Sequence, residues 1–435
     1  MTLTLDNLAD TLQALFTTEA NQAAKDSGMI QRQRTITGAG FVQTLVFGWL
    51  DDPNATIDDL GDELGVSKQG LDQRFDARAA DCLWRVVTKA TQQLFAASPE
   101  AIPLLRRFSR VVIDDCTSLG LPAELAQQFP GCGGSDPEAG QAGLKLLVRF
   151  EVTTGQFQAM ERGAARDSER TLVQRLPAVS PGSLHLADLG FFDFDELAQI
   201  TQQGGSWISR VPAMLDKEAD DGTTEGLTAW LKRERTDRID QPVHLGTRKH
   251  LDCRLVAVRL PRQVAQQRLR ELKKKLKKKG RTPSDRQRVL CQWLVLITDL
   301  GADQFSLEEI FILYRVRWQI ELLFKRWKSL AGLGRSRGHR AYRVLCETYA
   351  KLLGCLVQHW GTLLRGGPLS RISAYQRAKQ MRRFATQIAT ALGDAAALWR
   401  VIGRLAARLG RMPAQAKSHR RPSTRQLLFG ARLMT

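Results

Sequence analysis

The chain has 435 residues, 43% of them hydrophobic, and carries 64 basic and 45 acidic residues for a net charge of +19. This composition excludes a disordered chain, and the length suffices for two to four domains. The chain has no apolar run long enough for a transmembrane helix, and its N-terminus is acidic and amphipathic, so we expect neither a membrane partner nor a signal peptide.

The positive charge is concentrated in two blocks. Residues 262–288 hold 12 basic and 2 acidic residues, and residues 331–435 hold 20 and 2. Segregated positive charge of this kind favours binding to a polyanion such as DNA, because the release of counterions drives that binding. A solubilising charged surface is the alternative. The seven cysteines form no C-x-x-C pair, which argues against zinc ribbons and disulfides and for a reducing cytoplasm.

Residues 1–100 are predicted to form a helical N-terminal domain, with Gly38 and Gly40 as breaks in the first 50 residues. Within it, Thr56 and Asp59 resemble a capping box, and Gly65 ends the helix that they open. This pattern predicts a helix-turn-helix, a motif that reads DNA with its second helix, although a helical hairpin serving only as scaffold has the same outline. The polar residues that begin and line the second helix are Ser67, Lys68, Gln69, Gln73 and Arg74.

Residues 104–211 change to a mixed α/β pattern. An apolar β run at 111–113 leads into Asp114 and Asp115, and a second strand at 183–188 ends on Asp188. Between these strands the pattern indicates a hairpin with its turn at 153–155, and after them a helix at 193–203 and a strand at 207–211. We expect Asp115 and Asp188 to project from strand ends into one cleft.

Residues 212–289 are predicted to be a β-rich basic insertion, after which the strand pattern resumes at 293–300. The lysine run at 273–279, including Lys273, Lys274 and Lys277, is either a solvated helix or a grip on the DNA backbone. Residues 290–345 form the second part of the α/β domain, and residues 346–435 are a basic helical region. Ser306 and Glu309 form a capping box that opens one long helix running to about Leu330.

That long helix offers a third carboxylate to accompany the two aspartates. At about 100° per residue, Tyr314, Arg317, Glu321 and Lys328 fall within about 60° of one another. Such a stripe suits a site that binds phosphates and a metal ion, and it suits a buried face poorly because unpaired buried charge is costly. A solvated helix face laced by salt bridges has the same spacing.

The spacing Tyr314-x2-Arg317-x3-Glu321-x6-Lys328 matches the Y-(2)-R-(3)-E-(6)-K signature, and the chain therefore resembles the DDE transposases of the IS-four insertion-sequence family, including its Tn-five members. IDDCTSLGLP at 113–122 is similar to the first-aspartate motif, and LADLGFF at 186–192 to the second. Leu189 departs from the family, which usually has arginine there. The D-x-T frame selects Asp115, although Asp114 stands beside it.

The resemblance implies an RNase H-like catalytic domain that a mostly β insertion interrupts, between helical N- and C-terminal domains. It further implies a catalytic triad of Asp115, Asp188 and Glu321, two Mg²⁺ (or Mn²⁺) ions in each active site, and phosphate contacts from Tyr314, Arg317 and Lys328. Expected partners are double-stranded DNA at the transposon ends, target DNA, and a second copy of the chain on paired ends. Such an enzyme works in the bacterial cytoplasm, at the nucleoid.

Two further points stay open in the sequence. Trp293 matches a family position whose tryptophan stacks on a flipped base, but a tryptophan opening a strand is more often part of the core. The activity is predicted to be cleavage and strand transfer at inverted repeats by cut-and-paste. The alternatives are a catalytically silent DNA-binding regulator of transposition and a stand-alone nuclease of the same fold.

Overall fold

The computed structural model describes residues 2–32, 35–133, 140–218, 223–246, 250–278, 280–415 and 422–430, and over this part the architecture is mixed α/β, as predicted. The helices are α1 Leu5–Ala14, α2 Ala20–Asp26, α3 Gly38–Asp51, α4 Ile57–Leu64, α5 Lys68–Asp72, α6 Ala77–Thr91, α7 Glu169–Val173, α8 Phe194–Gln202, α9 Leu227–Arg233, α10 Arg262–Lys277, α11 Asp285–Gln292, α12 Leu307–Arg315, α13 Trp318–Leu330, α14 Ala341–Leu363, α15 Ala374–Arg382, α16 Ala385–Ala391, α17 Ala395–Gly410 and α18 Thr424–Leu428. The strands are β1 Arg110–Leu121, β2 Ala142–Glu151, β3 Gln156–Ala164, β4 Ser183–Ala187, β5 Ser206–Arg210, β6 Asp216–Glu218, β7 Thr224–Gly226, β8 Arg238–Leu245, β9 Leu251–Arg259 and β10 Trp293–Thr298.

The chain divides into two compact units, each assembled from segments that are distant in sequence. The first unit comprises Met1–Glu100, Cys116–Leu176 and Trp318–Lys417. The second unit comprises Ala101–Asp115, Pro177–Arg317 and Ser418–Thr435. Strand β1 contributes residues to both units, because the boundary falls between Asp115 and Cys116.

The second unit is built on a mixed sheet with the strand order β1-β4-β5-β10-β9-β8-β6-β7. β1, β4 and β5 run parallel, with Ile113 opposite Leu186 and Leu186 opposite Ile208. β10 is antiparallel to both of its neighbours, β5 and β9. Buried apolar side chains hold helices α8, α9 and α11 to this sheet, among them Trp207 and Trp293, each 1% exposed. The sheet is therefore a rigid platform for the residues at the ends of its parallel strands.

The first unit is mainly helical, and α14 lies at its centre. Every residue from 344 to 363 is buried, with α3 and α6 packed against the helix. Two buried charged residues on α14 form an ion pair, in which Lys351 Nζ lies 2.6 Å from Glu347 Oε1. The strands β2 and β3 form the predicted hairpin in this unit, with Gly155 at a φ of 78° in the turn. In the described part of the chain, none of the helices is long and apolar enough to cross a membrane.

Gly40 does not break a helix, contrary to the sequence-based expectation. Gly38 is the first residue of α3, and Gly40 lies in its first turn, where its N–H donates to the capping oxygen of Thr37 at 3.0 Å. Gly38 is needed for close packing instead, since a Cβ there would lie 2.5 Å from the Cβ of Ala24 on α2. The glycines allow α3 to begin against α2 rather than ending a helix.

Strand β1 runs further than predicted, so Asp115 does not follow a strand but lies within one. β1 pairs with β4 through Ile113, is hydrogen-bonded to β2 on its other side, and continues to Leu121. Backbone pairing on a second side keeps the chain extended beyond the apolar run that the sequence pattern detects. Asp188, in contrast, follows the last residue of β4, as predicted.

The long helix predicted from Ser306 to about Leu330 is two helices, α12 and α13. The chain tightens between them, where the N–H of Val316 donates to Leu313 O at 3.0 Å and that of Arg317 donates to Tyr314 O at 3.1 Å. These hydrogen bonds join residues three apart, as in a 3₁₀-helix, rather than four apart. No glycine or proline marks the place in the sequence. Tyr314 and Glu321 therefore do not share one continuous helical stripe.

The predicted capping box at the start of α12 is confirmed: Ser306 Oγ accepts the N–H of Glu309 at 3.2 Å, and Glu309 Oε2 accepts the N–H of Ser306 at 2.8 Å. We expect Ser306→Ala to lower the free energy of unfolding by about 1 kcal/mol, because it leaves an N-terminal N–H of α12 without its acceptor. Urea denaturation measures the change. Ser306→Asp restores an acceptor and serves as the control, and equal losses in both variants would contradict the capping role.

The insertion predicted to be β-rich contains helices as well as strands. Strands β6, β7, β8 and β9 alternate with α9, α10 and most of α11 between residues 212 and 289. The lysine run falls on α10 and on the residues after it, of which residue 279 lies outside the described part of the chain.

Candidate active site and DNA-contacting surfaces

Asp115 on β1 and Asp188, directly after the parallel strand β4, lie at the same level of the second unit's sheet. The register pairs Ile113 with Leu186, which are two residues before each aspartate. Arg317 lies beside both, with Nη1 3.7 Å from Asp115 Oδ2 and 3.9 Å from Asp188 Oδ2. Its side chain is only 12% exposed. The structure thus brings together two of the three predicted catalytic carboxylates and one of the predicted phosphate-binding cations.

Arg210 is a further cation at this position that sequence reasoning missed. It is the last residue of β5, and its Nη1 lies 3.6 Å from Asp188 Oδ1. β5 runs parallel to β4, so the ends of both strands lie at one edge of the sheet. The sequence shows a basic residue at the end of the strand that follows Asp188, but only the parallel pairing of β4 and β5 places it beside the aspartate.

Tyr314 approaches Asp188 from α12. Its hydroxyl donates to Ala187 O at 3.3 Å and reaches Asp188 Oδ1 at 3.5 Å. Burial raises the pKa of the Tyr314 phenol, and the nearby Arg317 opposes that rise. The phenol therefore stays neutral at physiological pH and acts as a donor. The guanidinium carbon of Arg317 lies 5.8 Å from the centroid of the Tyr314 ring, so the two side chains form one contiguous group.

Glu321 and Lys328 belong to the first unit, on α13. Glu321 is partly exposed, and Lys328 is exposed with its Nζ 3.4 Å from the backbone oxygen of Ser118 on β1. Within the described ranges, no group of three His, Cys, Asp or Glu residues is placed to hold a metal ion. The third carboxylate ligand thus stays a prediction from the sequence motif.

The donor chemistry of the aspartate pair fits a divalent cation. Both aspartates offer carboxylate oxygens, which are the ligands that Mg²⁺ and Mn²⁺ prefer. Their oxygens lie near the same nitrogen of Arg317, so both carboxylates face a common point that a positive charge already occupies. Successive residues of a strand point to opposite faces, so Asp114 faces away from the side on which Asp115 meets Arg317.

Trp293 lies in the core of the second unit. Its ring is 1% exposed and belongs to the apolar cluster around the sheet. The guanidinium of Arg259 lies 4.4 Å from the ring centroid, and Arg268 Nη1 donates to the Trp293 backbone oxygen at 2.9 Å. The structure thus supports the core role of the two roles that the sequence left open, since stacking on a flipped base requires an exposed ring face. Leu189, where the family usually has arginine, is 43% exposed.

The predicted helix-turn-helix outline is present as α4 and α5. Thr56 and Asp59 form the capping box, Gly65 ends α4 with a φ of 71°, and Ser67 Oγ accepts the N–H of Gly70. α5 is short, with five residues. The polar residues predicted to contact DNA are all exposed: Ser67, Lys68, Gln69, Gln73 and Arg74.

Helix α10 of the insertion carries the predicted lysine run. None of its 16 residues, all of which the structure describes, is buried. Lys273, Lys274 and Lys277 are exposed near its C-terminus, and α10 packs against α11. This arrangement is compatible with both predictions for the run, a solvated helix and a DNA-backbone grip.

A mixed sheet that holds paired carboxylates beside arginines is typical of enzymes that act on phosphate groups. Comparison with known proteins identifies the class: residues 106–356 match the model of the family described as transposase DDE domain. The chain therefore belongs to the DDE transposase family, as its motifs predict.

Transposases of bacterial insertion sequences are similar to the chain over most of its length. It is 28% identical over 308 residues to the transposase for insertion sequence element IS231F of Bacillus thuringiensis subsp. israelensis, which covers 66% of this chain and 64% of that protein. It is 27% identical over 365 residues to the transposase for IS231B of B. thuringiensis subsp. berliner, which covers 77% of this chain and 75% of that protein. The putative transposase InsL for IS186A of Escherichia coli (strain K12) is 27% identical over 260 residues, covering 57% and 68%. The chain thus spans just under two thirds of the length of the IS231F protein.

Proposed function

We propose that this chain cuts DNA strands at the inverted repeats of an insertion sequence and joins them to target DNA by cut-and-paste. Asp115, Asp188 and Glu321 are the proposed metal ligands and catalytic residues on an RNase H-like domain. The observation that carries the proposal is the contact of one arginine, Arg317, with both Asp115 and Asp188. Glu321 completes the set because it holds the glutamate place of the same motif that supplies Arg317.

Two Mg²⁺ or Mn²⁺ ions, when bound, would supply activation of the attacking oxygen and stabilisation of the leaving oxygen. The residues of the chain do the rest. Asp115 and Asp188 orient toward a common point, while Arg317 and Arg210 hold positive charge beside them. A scissile phosphate placed there meets guanidinium forks that donate two N–H groups at once. Tyr314, kept neutral by burial, donates a hydrogen bond at the same place.

The DNA itself is proposed to bind through the exposed residues of α5, the lysines of α10, and Lys328. Two copies of the chain would hold the paired ends, so each end could be cut while both are held together. Such a protein acts at the bacterial nucleoid.

The first test uses the wild-type chain and a duplex carrying the inverted repeats that flank its gene. We expect strand cleavage at the repeat ends in Mg²⁺ and none in EDTA, followed by joining of the cut ends to a second duplex. Cleavage of any duplex without preference would favour the stand-alone nuclease. Binding to the repeats without cleavage in Mg²⁺ or Mn²⁺ would favour the regulator.

The helix-turn-helix is tested separately by Gln69→Ala and Gln73→Ala. If α5 reads base edges, each lost contact costs about 1–3 kcal/mol, or about 5- to 150-fold in affinity for the repeats over unrelated DNA. Competition binding in EDTA measures this ratio. The matched control is Gln22→Ala on α2, an exposed glutamine whose amide pairs with Asp26. Unchanged ratios in both α5 variants would assign α4 and α5 a scaffold role.

A further inference from the structure

Helix α17 carries a row of arginines on its solvent-facing side. Arg400, Arg404, Arg408 and Arg411 are exposed, and at about 100° per residue they fall within an arc of about 80°. At a rise of about 1.5 Å per residue the row is about 16 Å long. The opposite side of the helix is firmly anchored, since Leu398, Ile402, Leu405 and Leu409 are all fully buried. The row is therefore held on a rigid element.

In the part of the chain that the structure describes, no acidic side chain neutralises Arg400, Arg404 or Arg408. The helix itself contains no acidic residue. Over the described ranges, Arg400, Arg404 and Arg408 form no ion pair: Arg400 Nε donates to the backbone oxygen of Ala396 at 3.2 Å, and Arg404 Nη2 donates to the Gln387 side chain at 3.1 Å. Two acidic residues near the helix have other partners: Asp6 on α1 accepts the indole N–H of Trp399 at 2.7 Å, and the N-cap Asp394 accepts the N–H groups of Ala396 and Ala397.

Helix stability alone does not account for the row. Like charges four residues apart destabilise a helix by about 0.2–0.5 kcal/mol for each pair. The helix dipole favours cations in the last turn, which covers Arg408 and Arg411 but not Arg400 near the start of the helix. A row of exposed cations of this kind attracts an anionic partner outside the chain.

Small residues beside the row leave room for that partner. Ala396, Gly403 and Ala407 lie within about 60° of Arg400 on the helix, and a Cβ built on Gly403 would meet nothing within 4 Å. A glycine inside an exposed helix lowers helix stability by about 1 kcal/mol relative to alanine. Here it leaves the helix backbone without a covering side chain at that position. A polymer backbone can therefore approach closely along the arginines.

We propose that Arg400, Arg404, Arg408 and Arg411 bind the phosphate backbone of duplex DNA without reading its sequence. This inference rests on the proposed function and adds to it a DNA-binding surface distinct from the α5 and α10 contacts. Guanidinium groups pair with phosphate oxygens in forked geometry. Contacts to phosphate oxygens carry no sequence information, so this contact is sequence-independent.

The test is the salt dependence of binding to a duplex that lacks the inverted repeats, measured in EDTA. The variant combines Arg400→Gln, Arg404→Gln and Arg408→Gln. Because each phosphate contact contributes about 0.9 to the slope of log K against log salt, we expect the slope to fall by about 2.7. Arg404→Gln alone is expected to lower it by about 0.9, which keeps the test usable if the triple variant is poorly folded.

The matched control removes three exposed cations elsewhere in the same unit: Lys25→Gln, Arg85→Gln and Lys89→Gln. Arg85 and Lys89 already pair with Asp81 and Glu19. The total charge changes equally, so a general electrostatic effect predicts equal slopes in both triple variants, and that result overturns the proposal. A loss of self-association in the α17 variant with an unchanged slope also overturns it and assigns the row to a contact between copies.

Failure of the proposed function has a different signature. If the wild-type chain bound no duplex, or bound but did not cleave the repeats in Mg²⁺, the transposase proposal itself would fail. If the wild type cleaved the repeats and the α17 variant kept the full salt slope, only the role of the arginine row would be lost.

Discussion

Replacement of Asp188 or Glu321 by alanine is expected to reduce Mg²⁺-dependent cleavage of the repeat ends by about 1,000-fold or more. In phosphoryl transfer, a metal ion stabilises the charge that develops in the transition state by several kcal/mol. Each 1.4 kcal/mol corresponds to a factor of about ten in rate. Loss of one carboxylate ligand forfeits most of that stabilisation. Single-turnover cleavage of the repeat duplex at saturating protein measures the chemical step without interference from DNA affinity.

Two controls accompany this experiment. Glu308→Gln removes a carboxylate from α12 that pairs with Arg238, far along the helix from Tyr314, and cleavage should change by less than about twofold. Thermal unfolding of all variants shows whether the fold is kept. Near-normal cleavage by a folded Asp188→Ala or Glu321→Ala protein would remove that residue from the catalytic set.

The same assay separates Asp115 from Asp114. Neighbouring strand residues face opposite sides, and Asp115 is the one whose carboxylate lies 3.7 Å from Arg317. We expect Asp115→Asn to match the loss in Asp188→Ala and Asp114→Asn to retain most of the activity. The reverse order would move the metal ligand to Asp114.

Arg317→Ala is expected to lower the cleavage rate by about 100- to 1,000-fold, the usual effect of removing one preorganised donor from a site of developing negative charge. Its guanidinium lies beside both aspartates and is 12% exposed, so water replaces it poorly. Arg317→Lys keeps the charge but loses the fork, and its rate should fall between the wild type and the alanine variant.

The matched control for this prediction is Arg315→Ala. Arg315 is exposed, two residues away, and donates to the backbone oxygen of Pro422 rather than to a catalytic carboxylate. Its cleavage rate should stay within about twofold of the wild type. If Arg317→Ala instead left cleavage unchanged and only weakened DNA binding, Arg317 would be a binding residue and not part of the reacting site.

Short-range sequence patterns are sufficient to predict the strands and caps that position the candidate site. The alternation around 183–188, the apolar run before Asp115 and the capping box of Ser306 are local patterns, and each appears where predicted. The motif that spaces Arg317 and Glu321 also comes from the sequence alone. These features depend on hydrogen bonds and side-chain periodicity within short stretches of the chain, so they can be predicted without knowledge of the fold.

The remaining features of the site depend on contacts between residues that are distant in the chain. Arg210 joins the site because β5 runs parallel to β4, and Trp293 is buried because it packs into the apolar cluster around the sheet with Arg259 over its ring. The break between α12 and α13 and the extension of β1 to Leu121 also lack a local signal. These features arise from pairing and packing between segments that only folding brings together, which is why the sequence pattern missed them.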